Sequence, residues 1–455
     1  RQVVLMMTDT QRKDMLSCYA DTGLKTPCLD KLAGQGMKFD RAYCAQPVCG
    51  PARAALFTGI YPHNAGSWAN SVPLGDNIKT IGQRLSDGGV HAAYIGKWHL
   101  DGSDYFGLGR CPSGWDPDYW YDMRNYLDEL SPEDRLRSRK PATNRENIAA
   151  EFTFGHRCSN RAIDFVERHR DEDFFLVVSY DEPHHPFLCP EPFASMYEGY
   201  EFPKNPAHFD DLSDKPEQHR VWSGDFCGLS REDKAAWTRP DLEDFFACNS
   251  FVDSEIGRVV ASIDQHCPGA LVVYTSDHGD CLGEHSMWSK GPMMYDGITN
   301  VPLLVRWPDR TPADTVCRHP VSHIDVMPTV LDYFDLPRSG VLDGQSLMSC
   351  LKDPGARVNG EVFVEFGRYE VDHDGFNGFQ PIRCAYDGRF KLVINLLTTD
   401  EFYDLQEDPH ELVNRIEDPA CTDVRDRLHD RLIDWMNRSR DPFRGYYWLN
   451  RPWRT

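Results

Sequence analysis

Short apolar runs that end abruptly in polar, chemically loaded residues recur along the chain. Val3–Met7 leads into Thr8-Asp9-Thr10, and Ala92–Ile95 into Gly96-Lys97-Trp98-His99. Phe174–Tyr180 leads into Asp181-Glu182-Pro183-His184-His185-Pro186, and Leu271–Thr275 into Ser276-Asp277-His278-Gly279-Asp280. Uninterrupted β-branched and aromatic runs of this kind read as strands buried on both faces. Helix-like stretches lie between them, at Thr80–Asp87, Arg157–His169 and Phe245–Gln265. Strands alternating with helices predict an α/β fold, a large and mostly parallel sheet sandwiched by helices. Ligands bind such sheets beyond the carboxyl ends of the strands, so the four polar clusters converge on one edge.

The pattern changes after about residue 335. Glu361–Phe366, Ile382–Tyr386, Phe390–Asn395 and Glu401–Leu405 are short strand-like runs without intervening helices, and Asp387-Gly388 is a hairpin signal between two of them. A helix follows from Thr422 to Asn437. We read residues 1–335 as the catalytic α/β domain and 336–455 as a smaller antiparallel sheet with a helix. The polar stretch Tyr197–Pro240 reads as a long surface insertion.

Composition narrows the function. The 455 residues carry 71 acidic and 49 basic side chains, a net charge of -22, which argues against nucleic acid and anionic membranes as partners. No run of about 18 apolar residues is present to span a bilayer. The fifteen cysteines are scattered without a disulfide or zinc-site spacing, the usage of a reducing compartment, so the sequence reading places the protein in the cytoplasm.

The most informative segment is Cys49-Gly50-Pro51-Ala52-Arg53-Ala54-Ala55-Leu56-Phe57-Thr58-Gly59. Pro51 suits the first turn of a helix and the alanines propagate it, which places Cys49 at a helix N-terminus where free N–H groups favour anions. Arg53 stands one turn later. An isolated buried cysteine would be the bland reading, but it leaves Arg53 and the four polar clusters unexplained.

Together these residues resemble the type I sulfatases of the alkaline phosphatase superfamily. The resemblance runs through Cys49, Pro51, Arg53, Thr58 and Gly59, then Thr8-Asp9-Thr10, Gly96–His99, Pro183–Pro186, Ser276–Gly279 with Gly283-Glu284-His285, Lys290, Val301-Pro302-Leu303 and Asp325–Thr329. Arg440–Arg444 and Arg451–Arg454 are similar to YidJ-type bacterial sulfatases. The resemblance implies a sulfuric ester hydrolase in which Cys49 is oxidised to formylglycine by a dedicated generating machinery. The hydrated aldehyde is then the nucleophile of a covalent, two-step reaction. It further implies that Asp9, Asp277 and His278, with an oxygen at position 49, hold a metal, Ca²⁺ first and Mg²⁺ second. Thr10 stands where many sulfatases carry a second acid, and its oxygen suits a hard cation. Asp277 would act as base, Arg53 and Lys97 would orient the nucleophile, His99 would assist its regeneration, and His184 and Lys290 would face the leaving oxygen. Of the adjacent histidines, Pro-His-x-Pro selects His184, leaving His185 structural.

For the substrate we expect a sulfated mono- or oligosaccharide. The loop from Arg368 through Glu370, His373 and Asp374 to Phe379 mixes charge, aromatics and glycines between two strands, as a recognition loop does. Trp68, Trp98, Trp115, Trp120 and Tyr121 read as core packing before sugar stacking. Two alternatives remain at this stage: a phosphatase or phosphonate ester hydrolase of the same superfamily, and a sugar-binding protein with a dead site.

Overall fold

The computed structural model describes residues 1–102, 105–370 and 378–454. Its centre is four adjacent parallel strands, in the order β4 (His91–Gly96), β5 (Phe174–Ser179), β1 (Gln2–Thr8) and β6 (Leu271–Ser276). Leu5 faces Val177 on one side and Val273 on the other. The sheet continues through β8 (Leu303–Arg306) and β2 (Met37–Phe39), each antiparallel to its predecessor, to β9 (Thr315–Cys317). The last three strands are short pieces that the apolar runs do not announce. A further small sheet of β10 (Val321–Ser322), β3 (Ala42–Tyr43) and β7 (Asn300–Val301) is likewise absent from the sequence reading.

Side-chain alternation along β1 explains how one sheet holds two cores. Val3, Leu5 and Met7 pack on one face with Ala52, Ala54 and Leu56 of α1 (Cys49–Thr58). Val4 and Met6 pack on the other with Phe165 and Val166 of α2 (Phe154–Arg168) and Ile256 and Val259 of α3 (Leu242–His266). Trp98, Trp115, Trp120 and Tyr121 are buried in these cores, whereas Trp68 is partly exposed.

The predicted antiparallel sheet is present as β11 (Val362–Phe366), β12 (Ile382–Tyr386), β13 (Phe390–Asn395) and β14 (Glu401–Asp404), covered by α4 (Thr422–Arg438). Asp387-Gly388 makes the β12–β13 turn: Gly388 takes φ 105°, and Asp387 Oδ1 accepts from the N–H groups of Arg389 and Phe390. Ala55 of α1, with Ala45 and Tyr61, packs against Phe363, Leu392 and Trp435 from this sheet and helix. The helix that begins at Cys49 is therefore clamped between the large sheet and the small one.

The stretch Tyr197–Pro240 lies mostly at the surface, as read, but part of it turns inward. It forms short helices that cover the loop after β6, and Ala207, His208, Lys215, Gln218, His219 and Lys234 are buried there. Several of the inward polar groups find partners, as where Lys234 Nζ donates to the Asp210 carbonyl at 2.7 Å and the Ser286 hydroxyl at 2.6 Å.

Candidate active site

Cys49 is the first residue of α1, and local chemistry explains the position. Val48 enters extended, Pro51 fits the first turn, and the Gly50 N–H is satisfied by Asn70 Oδ1 at 2.9 Å. Gly59 ends the helix at φ 68°, a left-handed conformation that accounts for glycine after Thr58. Cys49 Sγ meets the carboxyl ends of β1 and β6, lying 3.7 Å from Asp9 Oδ1 and 3.1 Å from His278 Nε2. Asp9, Cys49, Asp277 and His278 are fully buried, and each offers one ligand atom within 4.8 Å of the others.

The donor set fits a cation. His278 Nδ1 donates to the Gly279 carbonyl at 2.8 Å, which fixes the tautomer and leaves the Nε2 lone pair facing the carboxylates. Nε2 stands 3.6 Å from Asp277 Oδ1 and 3.8 Å from Asp9 Oδ1. Ligands held about 2.3–2.6 Å from a hard divalent ion are separated by comparable spans. Thr10 lies against the same carboxylates. Its hydroxyl donates to Asp9 Oδ1 at 2.6 Å and its N–H to Asp277 Oδ1 at 3.1 Å, so it orients both carboxylates.

Three buried cations surround this group. Arg53 donates to Asp277 Oδ2 at 3.0 Å, Asp9 Oδ2 at 3.1 Å, the Lys97 carbonyl at 2.7 Å and Ser179 Oγ at 2.8 Å. Lys97 Nζ bridges Asp9 Oδ2 at 2.8 Å and Asp181 Oδ1 at 3.0 Å. Lys290 Nζ donates to Cys49 Sγ at 2.7 Å and lies 2.9 Å from His278 Nε2. Lys97 and Lys290 are almost completely buried, not surface lysines.

The electrostatics follow from this packing. Burial pushes the Asp9 carboxyl up, but Lys97, His184, Lys290 and Arg53 together hold it well below the usual carboxylate range. Burial, and then the charge of Asp9, raise Asp277 to about 6. Burial and Asp9 raise the Cys49 thiol, but Lys290, His278 and Lys97 outweigh them and bring it down to about 5. His99 is lowered to about 3 by burial and by Lys97 and Arg53, so its ring is neutral, and its Nδ1 has no hydrogen-bond partner among the described residues.

His184 is joined to the group through residues the sequence reading left unassigned. Tyr105 hydroxyl lies 2.9 Å from His184 Nδ1 and donates to Asp181, the carboxylate that also receives Lys97. Asp181 stood within a quoted cluster; Tyr105, Asn70 and Ser179 carried no motif and are brought in by folding alone. His185 is exposed and packs edge-on against Phe187. Of the recognition loop, Glu370 accepts from the Ser71 hydroxyl at 3.1 Å, and Arg368 lies two residues before it. His373 and Asp374 lie outside the described residues.

Comparison with known proteins supplies the family. The family described as Sulfatase matches residues 1–336, and one described as N-sulphoglucosamine sulphohydrolase, C-terminal, matches 283–438. The chain is 45% identical to the uncharacterized sulfatase YidJ of Escherichia coli K12, covering 99% of this chain and 90% of the relative. It is 24% identical to an N-acetylglucosamine-6-O-sulfatase of Bacteroides thetaiotaomicron, covering 90% and 82%. A structure solved in complex with its substrate D-glucosamine-2-N,6-O-disulfate superposes with TM-score 0.79 at 21% identity, covering 97% and 98%. The phosphonate monoester hydrolase of Agrobacterium radiobacter superposes with TM-score 0.78 at 24% identity, covering 96% of each chain. With the Sulfatase model matching residues 1–336 and a relative 45% identical over nearly its full length, the chain belongs to the sulfatase family and is a sulfuric ester hydrolase.

Proposed function

We propose that the protein removes one sulfate group from a sulfated mono- or short oligosaccharide, using a formylglycine made from Cys49 and a Ca²⁺ ion held by Asp9, Asp277 and His278. The observation that carries this reading is Cys49 Sγ, at a helix N-terminus, within 3.1 Å of His278 Nε2 and 2.7 Å of Lys290 Nζ. Sγ marks the place of the oxygen that the modified residue would present. Asp9, Asp277 and Asp181 face Arg53, Lys97 and Lys290, three carboxylates against three cations, so a bound divalent ion leaves the site positive and suited to an anionic ester. The ion supplies charge stabilisation for sulfate oxygens as negative charge develops.

The chain's own residues do the rest. Asp277, raised to about 6, accepts the proton of the hydroxyl at position 49. Arg53 locks Asp9 and Asp277 in place, and Lys97 ties Asp9 to Asp181. Lys290 meets charge at position 49, and His184, linked to Asp181 through Tyr105, stands on the leaving-group side. Neutral His99, with a bare Nδ1, is a proton acceptor for regenerating the aldehyde. The names of the sulfated-sugar relatives support a carbohydrate substrate.

Mass spectrometry of the peptide containing Cys49 tests the nucleophile, since formylglycine is lighter than cysteine by roughly 18 Da. Cys49→Ser should fold normally and lose turnover; sustained wild-type turnover by that variant would overturn the mechanism. Rates on aryl sulfate against aryl phosphonate esters decide between this reading and the phosphonate hydrolase chemistry named for one structural relative.

A further inference from the structure

One cluster of ligating side chains lies apart from the cleft, at the opposite edge of the sheet. His91 opens β4 at its amino end, whereas the catalytic candidates follow carboxyl ends. His169 caps the C-terminus of α2, and Glu172 follows in a turn closed by its N–H on the His169 carbonyl at 2.9 Å. His91 Nδ1 is 3.1 Å from Glu172 Oε2, and His169 Nδ1 is 3.1 Å from Glu172 Oε1. Ligand atoms of all three residues lie within 4.8 Å of one another.

His91 also meets a second carboxylate, with Nε2 2.6 Å from Asp116 Oδ2. A neutral imidazole carries one N–H, so a carboxylate at each nitrogen calls for either a second proton or a cation. Asp116 is firmly placed: its N–H donates to the Ala92 carbonyl at 2.8 Å, and its Oδ1 accepts from the Asp118 N–H at 2.9 Å. The shorter contact assigns the N–H to Nε2, leaving the Nδ1 lone pair toward Glu172. A carboxylate behind an imidazole in this way is the arrangement that orients metal-bound histidines. Ligands about 2.0–2.1 Å from a tetrahedral zinc ion stand about 3.3 Å apart, close to the two separations on Glu172.

Packing holds both rings. Phe165 meets His91 edge-on at 5.2 Å between centroids, Tyr119 meets His169 edge-on at 5.4 Å, and the two imidazoles stand nearly perpendicular at 4.6 Å. The side chains of His91, His169 and Glu172 are 24%, 19% and 51% exposed, which admits an ion and leaves room for water as a further ligand.

We propose that His91, His169 and Glu172 form a second metal site, binding a first-row divalent cation of the Zn²⁺ type with Asp116 orienting His91. The ion would fasten the start of β4 to the end of α2 and to the turn that leads into β5, a structural clamp remote from the sulfatase chemistry. Zinc chloride titration by calorimetry, in excess Ca²⁺, tests it on the whole protein. Wild type should take up one saturable zinc equivalent, with a rise in melting temperature, and Asp277→Asn should keep it. His91→Gln/His169→Gln should lose both the equivalent and the rise. Glu172→Gln, which keeps both rings, should weaken binding at least tenfold and guards against a double variant that folds poorly. No saturable zinc in wild type, or equal zinc affinity in wild type and Glu172→Gln, would overturn the proposal and leave a proton bridging the cluster instead.

Discussion

Arg53 directs four of its donors to Asp277, Asp9, the Lys97 carbonyl and Ser179, while Lys290 alone among the three cations donates to Cys49 Sγ. In the proposed mechanism their parts therefore differ: Arg53 would shape the carboxylates that hold the metal, and Lys290 would meet charge at position 49. Lys290→Met should lower kcat by about 10²–10³-fold with a smaller change in KM, the size found when one preorganised donor is removed. Steady-state kinetics on an aryl sulfate check this, and a change confined to KM would contradict the role. Cys49, Arg53, Asp9 and Asp277 were readable from the sequence because each sits in a short motif with a fixed offset. Tyr105, Asn70 and Ser179 were not, since a tyrosine or serine acquires its role only from the partner that folding sets beside it.

Two elements make testable demands on stability. Arg383 of β12 is buried and donates to both oxygens of Asp441, just past α4, at 2.5 and 3.0 Å. Asp441→Asn leaves a buried guanidinium without its counter-charge and should cost about 3–5 kcal/mol, measured by urea unfolding. At the start of α2, Glu182 accepts from the Gly155 N–H at 2.7 Å, and burial with Asp181 alongside raises it from 4.5 to about 8. The folded state then holds a proton that the unfolded state releases across that interval. This contribution to stability is full below pH 4.5 and falls as pH rises toward 8, by on the order of 1.4 kcal/mol per unit. Glu182→Gln, which cannot ionise, should therefore gain on wild type steadily between pH 5 and 8. A pH-independent difference in unfolding free energy between the two proteins would refute that account.

At the scale of the whole molecule, the net charge of -22 sets the class of substrate we expect. Screening acts over about 8 Å at physiological salt, so the buried cations at Cys49 attract one sulfate but do not offset the field along an extended polyanion. A sulfated disaccharide should accordingly release sulfate faster than its parent polymer at low salt. Ion chromatography of released sulfate gives the comparison, and faster release from the polymer would reject exo action.

The parallel strands, their order of polar clusters and the antiparallel sheet at the end were legible in the chain because each is a local pattern. Apolar runs such as Leu271–Ser276 have no way to satisfy their burial except inside a sheet, and Asp387-Gly388 can scarcely be anything but a turn. Motif spacing likewise marked Cys49 and its partners. Folding alone decided what those patterns leave open. Strands of two to four residues, such as β3 and β8, bury too little to show a period, and they form only where folding sets a partner strand beside them. Parts of the polar stretch Tyr197–Pro240 turned inward where its side chains met distant partners, as Lys215 Nζ donates to the Leu412 carbonyl at 2.6 Å. Thr10 braces Asp9 because folding sets its hydroxyl 2.6 Å from that carboxylate. Residues far apart in sequence meet only when the chain closes, as Lys290 meets Cys49 and His91 meets Glu172.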